Sequence, residues 1–475
     1  MSTATPTIFW FRRDLRLADN PALVEAVSKG AGNVVGTWII DDTFIASSGP
    51  TRTAFLVDSL RSLNDSIGGN LVLRQGDPAV VLDELVKESG AKTVYASKDF
   101  GPQGRRRDAR VKELLQRAGI EVEFIDSPYV VEPGTVQTKT GTPCKVFTAF
   151  RRGWEQFECP LPVASPRDVT WRQFESLPLR AITEASARIR PDYFGDLDTS
   201  VAPNILQAGE AQAHEHLARF LAHVDAYDEA RNIPSLDQTS RLSPYLRFGA
   251  IHPRQVIEAT RGLSDGRRVF HSEICWREFY ADVLFHNPDS TWHVLQPAME
   301  HLRVDRDAAA IERFQLWARG ETGYPLVDAG MRQLRVEGWM HNRVRMVAAS
   351  FLVKHLHLDW RWGAKWFLWN LIDGDVASNQ HGWQWAAGTG TDAAPFHRVF
   401  NPTLQAERFD AEGLYVHSYV DALRGVPAPD CLQPGGGSGL LAPAGYVVPM
   451  VDASRERDEA LARFAEARER SKATS

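Results

Sequence analysis

Four stretches of this 475-residue chain place chemically capable side chains at turn or helix spacing. In QTSRLSPYLRFGAIHPRQV (238–256), Thr239 and Ser240 stand beside Arg241. Two hydroxyls, backbone N–H groups and a guanidinium suit a phosphate; the same residues also make an ordinary helix cap. In HSEICWREFYADVL (271–284), Glu273, Trp276, Arg277 and Tyr280 lie three or four apart, so a helix gives them one face. A carboxylate, a flat ring and a cation on one stripe suit a flat polar ligand. A salt bridge beside a core tryptophan is the plainer alternative.

The third stretch, EGWMHNRVRMVAASFLVKHLHLDWRWG (337–363), puts Asn342, Arg345 and Met346 on one face and turns Arg343 away. Residues 332–361 hold six Lys and Arg against two acids, Glu337 and Asp359, which reads as a local basic surface for a phosphate backbone. The fourth, LIDGDVASNQHGWQWAAGTGTDAAPFHRVFNP (371–402), flanks Gly374 with Asp373 and Asp375 at the end of an apolar helix. No histidine or third carboxylate has metal-ligand spacing, so the expected partner is Arg345 or a ligand hydroxyl, and no metal. Trp383 and Trp385 are expected in a Gly-bounded loop.

The elements that must position these residues come in two kinds. Residues 1–126 alternate strand-like runs (7–11, 34–40, 71–75, 93–97, 121–125) with helical patterns (21–29, 52–66, 79–89, 104–118), one of which would put Val80, Leu82, Leu85 and Val86 on one face. That alternation predicts an α/β domain with a five-stranded parallel sheet, Rossmann-like in class, with right-handed crossovers. No GxGxxG follows the first strand, so the dinucleotide fingerprint is absent. Residues 127–203 carry nine prolines and read as a connector with short helical pieces. Residues 204–475 read as a large all-α domain, with helices at 208–224, 252–261, 267–285, 325–337, 340–356 and 361–372, and a charged terminal helix fraying into a polar tail.

Composition narrows the class. The net charge of −6 excludes a small basic DNA-binding domain, so nucleic-acid contact needs a local patch. Four scattered cysteines form no CxxC pair, which fits a reducing compartment and argues against a zinc site. No secretory leader and no stretch of 18 apolar residues is read, and a cytoplasmic, nucleoid-associated protein is expected. Ten of the 14 tryptophans fall between Trp276 and Trp385. Most are expected as core, but the clustering asks for a second explanation.

Taken together, FWFRRDLRLADNPAL, TSRLSP, WREFY, GWMHNRVRM and the DGD–GWQWAAGTGTDAAP block resemble, in order and from end to end, the photolyase/cryptochrome family, closest to its bacterial cyclobutane-pyrimidine-dimer branch. The resemblance implies a helical domain that binds FAD and a first domain that takes an antenna pigment. It places Tyr227, Thr239, Ser240, Arg241, Leu242 and Ser243 on the FAD phosphates. Arg345, Asp373, Gly374 and Asp375 would border the ribityl chain and ring, with Asn379 beside flavin N5, where plant cryptochromes carry aspartate. It assigns the lesion pocket to Glu273, Trp276, Asn342, Arg345, Met346 and Trp385. DNA contacts would come from Arg231, Trp276, Arg277, Asn342, Arg343, Arg398 and Gln405. The implied partner is UV-damaged duplex DNA bound by a monomer with no obligate protein partner and no membrane. The implied reaction is light-driven dimer splitting by electron transfer from reduced FAD, a carbon–carbon lyase activity; the alternative is a cryptochrome-type blue-light photoreceptor.

Three departures from family patterns sharpen this. Asn342 and Met346 stand where photolyases for the (6-4) lesion carry histidines. Trp385 and Met346 stand where the single-strand-preferring branch carries tyrosine and glutamine. Trp383 and Trp360 match the inner members of the family's electron-transfer chain, but Asp307 occupies the place of its surface tryptophan. Trp362, Trp366 or Trp369 would then complete the path, or flavin photoreduction is weakened. Arg52, Asp99 and Arg247 resemble an 8-hydroxy-5-deazaflavin antenna site more than one for methenyltetrahydrofolate, the alternative.

Overall fold

The computed structural model describes residues 5–188, 195–392, 398–433 and 445–474. Pro191 of the connector and positions 393–397 of the fourth stretch lie outside the described residues.

The strands are β1 (Thr7–Trp10), β2 (Asn33–Ile40), β3 (Val72–Gln75), β4 (Thr93–Ala96), β5 (Glu121–Phe124) and the two-residue β6 (Thr170–Trp171). All pairings are parallel, in the order β3-β2-β1-β4-β5, with β6 added beside β2. The five expected strands and the parallel sheet are therefore present; β6, inside the connector, was too short to show a period. Between the strands run α1 (Pro21–Lys29), α2 (Asp42–Ile45), α3 (Pro50–Ser66), α4 (Pro78–Ser89) and α5 (Pro102–Arg117). Local chemistry sets their ends. Asn20 and Asp77 accept N-terminal N–H bonds ahead of prolines, and Gly90 closes α4 in the left-handed region. One expectation fails: Val80 is exposed, and Ala79, Val81, Leu82, Leu85 and Val86 form the buried face of α4. At about 100° per residue, positions 80 and 82 cannot share a narrow stripe.

The connector holds α6 (Phe147–Trp154) and α7 (Arg180–Ala187). The helical remainder comprises α8 (Glu210–Leu221), α9 (Tyr227–Ala230), α10 (Ser243–Phe248), α11 (Pro253–Ala259), α12 (Asp265–His286), α13 (Ala308–Arg319), α14 (Pro325–Glu337), α15 (Asn342–Lys354), α16 (Trp360–Asn370), α17 (Val376–Ala387), α18 (Pro402–Phe409), α19 (Leu414–Tyr419) and α20 (Ala453–Thr474). Trp383 and Trp385 lie on α17, not in a loop. Asp375 caps its start by accepting from Ser378 N–H at 3.1 Å, Gly388 closes it with φ 72°, and Gly382 lies within it. The terminal helix does not fray into a tail before Thr474; Phe464 and Ala467 are buried against Met299.

The chain divides into two compact units that do not follow chain order. The first comprises Met1–Arg190, Leu206–Asp228 and Ser240–Pro288, so α10 to α12 pack with the α/β layers. Gly249 shows how tightly: with φ 69°, a Cβ there would lie 1.8 Å from the Arg13 carbonyl oxygen. The second comprises Pro191–Ile205, Glu229–Thr239 and Asp289–Ser475, with α13 to α20 around a tryptophan-rich core. Among the described residues no helix is long and apolar enough to cross a membrane.

Candidate functional site

In the first unit, α12 starts where the Ser264 hydroxyl accepts from Arg267 N–H, and presents Glu273, Trp276, Arg277 and Tyr280, all half-buried, along one stripe. Arg277 is engaged inward: it donates to the carbonyls of Pro128 (2.9 Å) and Leu246 (3.3 Å) and covers the Tyr129 ring at 4.7 Å. Trp276 stacks on Phe147, centroids 3.7 Å apart and planes 8° apart. Beneath this face Glu278 is buried and clamps the connector. It accepts from Trp154 Nε1 at 2.6 Å and from the N–H groups of Val130 and Val131. Burial pushes the Glu278 carboxyl above its ordinary range, and those three donors offset that only in part. Reading the sequence missed Phe147, Trp154 and Glu278. No local signal links residues more than a hundred positions apart.

The 240–243 turn carries strain. Arg241 adopts φ 48°, a left-handed backbone that costs a non-glycine residue about 1 kcal/mol or more and that clusters at functional sites. Leu242 N–H donates to the Ser240 hydroxyl at 3.3 Å; Leu242 is buried and Ser243 exposed. Tyr227 is packed edge-on against Phe220 and Phe270, with centroids at 5.5 and 5.3 Å.

The antenna candidates fall into two clusters of the same unit. Arg52 is buried, donating to the Ser48 hydroxyl at 3.2 Å and to the Ser47 carbonyl, while Arg247 lies over Phe44 at 5.6 Å. Both therefore meet the short Phe44–Ser48 segment. Asp99 belongs elsewhere, at the carboxyl ends of β1 and β4 where the strand order reverses, the usual ligand crevice of such a sheet. It accepts from Gly101 N–H at 3.0 Å and pairs with Arg107 at 3.1 Å. Burial pushes its carboxyl up, but Arg107, Arg12 and Arg13 outweigh that and hold it below the ordinary range.

The second unit supplies the remaining residues. Arg345, on α15, forks onto Asp373: Nη1 to Oδ1 at 3.1 Å and Nη2 to Oδ2 at 2.8 Å, with Nε donating to the Met340 carbonyl at 2.7 Å. The carboxylate expected opposite Arg345 is thus Asp373, fixed by a planar bidentate pair. Asn342 is exposed and Met346 half-buried on that helix. Asn379 donates its amide N–H groups to the Ala364 carbonyl (3.0 Å) and Gln380 Oε1 (2.7 Å), which leaves its oxygen as the acceptor it offers. The Thr239 hydroxyl is buried with no partner among the described residues. A donor set of that kind fits a polar cofactor; no group of three or more His, Cys, Asp or Glu among the described residues could hold a metal.

Trp383 is buried edge-on to Phe367 (4.9 Å) and Trp317 (6.1 Å), and a Cβ on Gly363 would come within 2.1 Å of it. Trp360 opens α16, buried, with the Arg361 guanidinium 5.2 Å from its centroid. Trp385 is half-buried against the core. Asp307 is an exposed cap that accepts from Ala310 N–H at 2.8 Å.

The basic surface expected over 332–361 needs correction. Five of its six cations are half-buried and the sixth is withdrawn from solvent. Lys354 is buried, its Nζ donating to the Arg398 carbonyl at 3.0 Å, and burial lowers its pKa to about 8. Arg332 reaches the Gly320 carbonyl, and Arg361 holds Asp359. Charge counted along the chain does not say where each side chain points. Among the candidate backbone contacts, Arg343 has defined partners. Arg343 donates to Asn232, next to Arg231, at 2.6 Å and covers Phe409 of α18 at 4.4 Å. Gln405 lies on α18, and exposed Arg398 precedes it.

Comparison with known proteins agrees with this geometry. A family model described as DNA photolyase matches residues 7–167, and one described as the FAD binding domain of DNA photolyase matches residues 270–466. A deoxyribodipyrimidine photo-lyase of Agrobacterium fabrum is 40% identical over 97% of this chain and 98% of its own. The crystal structure of a bacterial class III photolyase from Agrobacterium tumefaciens superposes with a TM-score of 0.89 at 37% identity, covering 99% of this chain and 98% of the other. A Synechocystis cryptochrome structure superposes with a TM-score of 0.83 at 27% identity, over 97% and 100%.

Proposed function

The chain belongs to the DNA photolyase family, and from that premise we propose that it repairs cyclobutane pyrimidine dimers in duplex DNA in a light-dependent reaction with FAD. The observation that carries the reading is Asn379: its amide nitrogen is engaged by Ala364 and Gln380, so a neutral acceptor oxygen is what it offers. When bound and reduced, FAD supplies the electron that opens the cyclobutane ring under light.

The residues around it bind, orient and exclude water. Tyr227, Thr239, Ser240, Arg241, Leu242 and Ser243 would hold the FAD phosphates; Arg345, Asp373, Gly374 and Asp375 would hold the ribityl and ring portions. Asn379 would accept a hydrogen bond from N5–H without adding charge. A dimer must leave the stack to be reached, and its weakened pairing lowers that cost. Trp276 and Trp385 would wall the flipped bases, with Asn342 and Met346 beside them. Glu273 would hydrogen-bond a pyrimidine. Arg231, Arg343, Arg398 and Gln405 would meet the DNA backbone, and Arg277 would act through the inward bonds already described. Functionally, residues 1–126 would serve the antenna, 127–203 connect, and 204–475 hold FAD. Arg52, Asp99 and Arg247 would serve an 8-hydroxy-5-deazaflavin antenna, or methenyltetrahydrofolate. Trp383 and Trp360 would carry electrons inward, with Asp307 unable to supply the outermost ring. A cytoplasmic monomer acting without an obligate protein partner completes the reading.

Incubating the reduced, FAD-loaded protein with duplex DNA carrying one defined dimer, in blue light and in darkness, tests this. Intact pyrimidines should return in light only. No repair by protein that demonstrably holds reduced FAD overturns the reading in favour of a blue-light photoreceptor.

A further inference from the structure

We propose that Phe147 is a positioning residue for lesion recognition: it holds the Trp276 indole in one plane, so that the ring's remaining face meets the flipped bases preorganised. The inference rests on Trp276 being a wall of the lesion pocket.

The contacts form a layered clamp within the first unit. Phe147 opens α6, is buried, and covers one face of Trp276 with centroids at 3.7 Å and planes 8° apart. Phe147 itself stands edge-on against Phe279, which is completely buried, at 5.8 Å. Phe150 backs the same ring at 5.3 Å. At the other end of α6, Trp154 Nε1 is tied to Glu278 at 2.6 Å, and Glu278 also holds the N–H groups of Val130 and Val131. Phe279 and Glu278 lie on α12 with Trp276, so α6 is anchored to the same helix that carries the ring it orients. Trp276 is half-buried: Phe147 covers one face, and the Phe279 and Tyr280 rings flank it at 5.7 and 5.4 Å. Rotating the indole would break the stack. The plane is therefore set before any base arrives, and the ordering cost of binding falls accordingly. Phe147 touches neither the reacting bases nor the flavin in this scheme; it acts through Trp276.

Dark binding of the FAD-loaded protein to a dimer-bearing duplex and to the same undamaged duplex, at one salt concentration, tests this with F147L, F147Y and W276A. W276A should lower the ratio of the two affinities. F147L should lower it about fivefold, the factor that about 1 kcal/mol of ring stacking corresponds to, with undamaged binding unchanged. F147Y should restore it. If W276A lowers the ratio and F147L leaves it unchanged, the positioning role is wrong while the pocket assignment stands. If W276A has no effect, the pocket assignment falls and takes this inference with it. Equal losses on both duplexes in F147L and F147Y, with lost flavin, would make Phe147 a folding residue and overturn the proposal.

Discussion

The carboxyl edge of the parallel sheet and the core of the helical unit handle buried polarity in opposite ways. At the sheet edge charges satisfy one another: Arg12 and Arg107 lie 4.6 and 4.9 Å from the Trp10 centroid, with Arg12 pairing to Asp108 and Arg107 to Asp99. The helical core is filled by Trp317, Trp366, Phe367 and Trp383, and it leaves the Thr239 hydroxyl and the Trp360 and Trp383 indole N–H groups buried without partners among the described residues. Each such group costs about 1–3 kcal/mol relative to a satisfied one. A self-paired cluster is complete by itself. A ring-lined interior with unmatched polar atoms suits a unit that takes a cofactor and moves charge.

If that contrast is right, breaking the best-matched pair of the helical unit should do the most damage. D373A leaves the Arg345 guanidinium without its carboxylate and should cost about 3–5 kcal/mol, with loss of bound flavin. Denaturant unfolding and the flavin absorbance of purified protein measure both, and an unchanged midpoint with full flavin would remove the pair from the site.

Lys354 should behave in the opposite sense. Burial holds its amine at about 8, against about 10.4 for a free lysine. The unfolded chain therefore binds the extra proton between those values. Stability rises with pH across that window, and the full penalty is present below pH 8. K354M should gain about 2 kcal/mol at pH 7, after loss of the bond to the Arg398 carbonyl, and that advantage should vanish near pH 10. Thermal melts from pH 7 to 10 report it; a pH-independent difference would contradict the burial.

Packing comes next. G363A drives a methyl into the Trp383 ring and should cost about 1–2 kcal/mol, with a shift in tryptophan emission. A neutral result would show that α16 has slack beside Trp383. At the small end, the half-exposed Arg74–Glu88 pair of the α/β unit should matter little. E88A should change stability by under about 0.5 kcal/mol, and a larger loss would mean that the α/β unit depends on its peripheral charges too.

Much of this was legible along the chain. The alternation of strands and helices to residue 125 was read to within two residues at nearly every boundary, because each element's period and caps are local. The stripe of Glu273, Trp276, Arg277 and Tyr280 follows from the same helical geometry. The motif order also carried the family, since each motif is a short contiguous run.

What stayed illegible depends on which residues meet through space. Trp383 and Trp385 read as loop because glycines flank them, yet Gly382 lies inside a helix that Asp375 caps and the left-handed Gly388 closes. Six cations read as a basic surface, yet five are half-buried and Lys354 points inward to the Arg398 carbonyl. Residue type, spacing and local caps determined the elements and the chemistry they carry. Only the tertiary structure decided that Asp373 faces Arg345, that Phe147 stacks on Trp276 and that Glu278 clamps the connector. Those pairings join positions far apart in the chain, and the buried carboxylates are tolerated only because distant donors meet them, which no local pattern encodes.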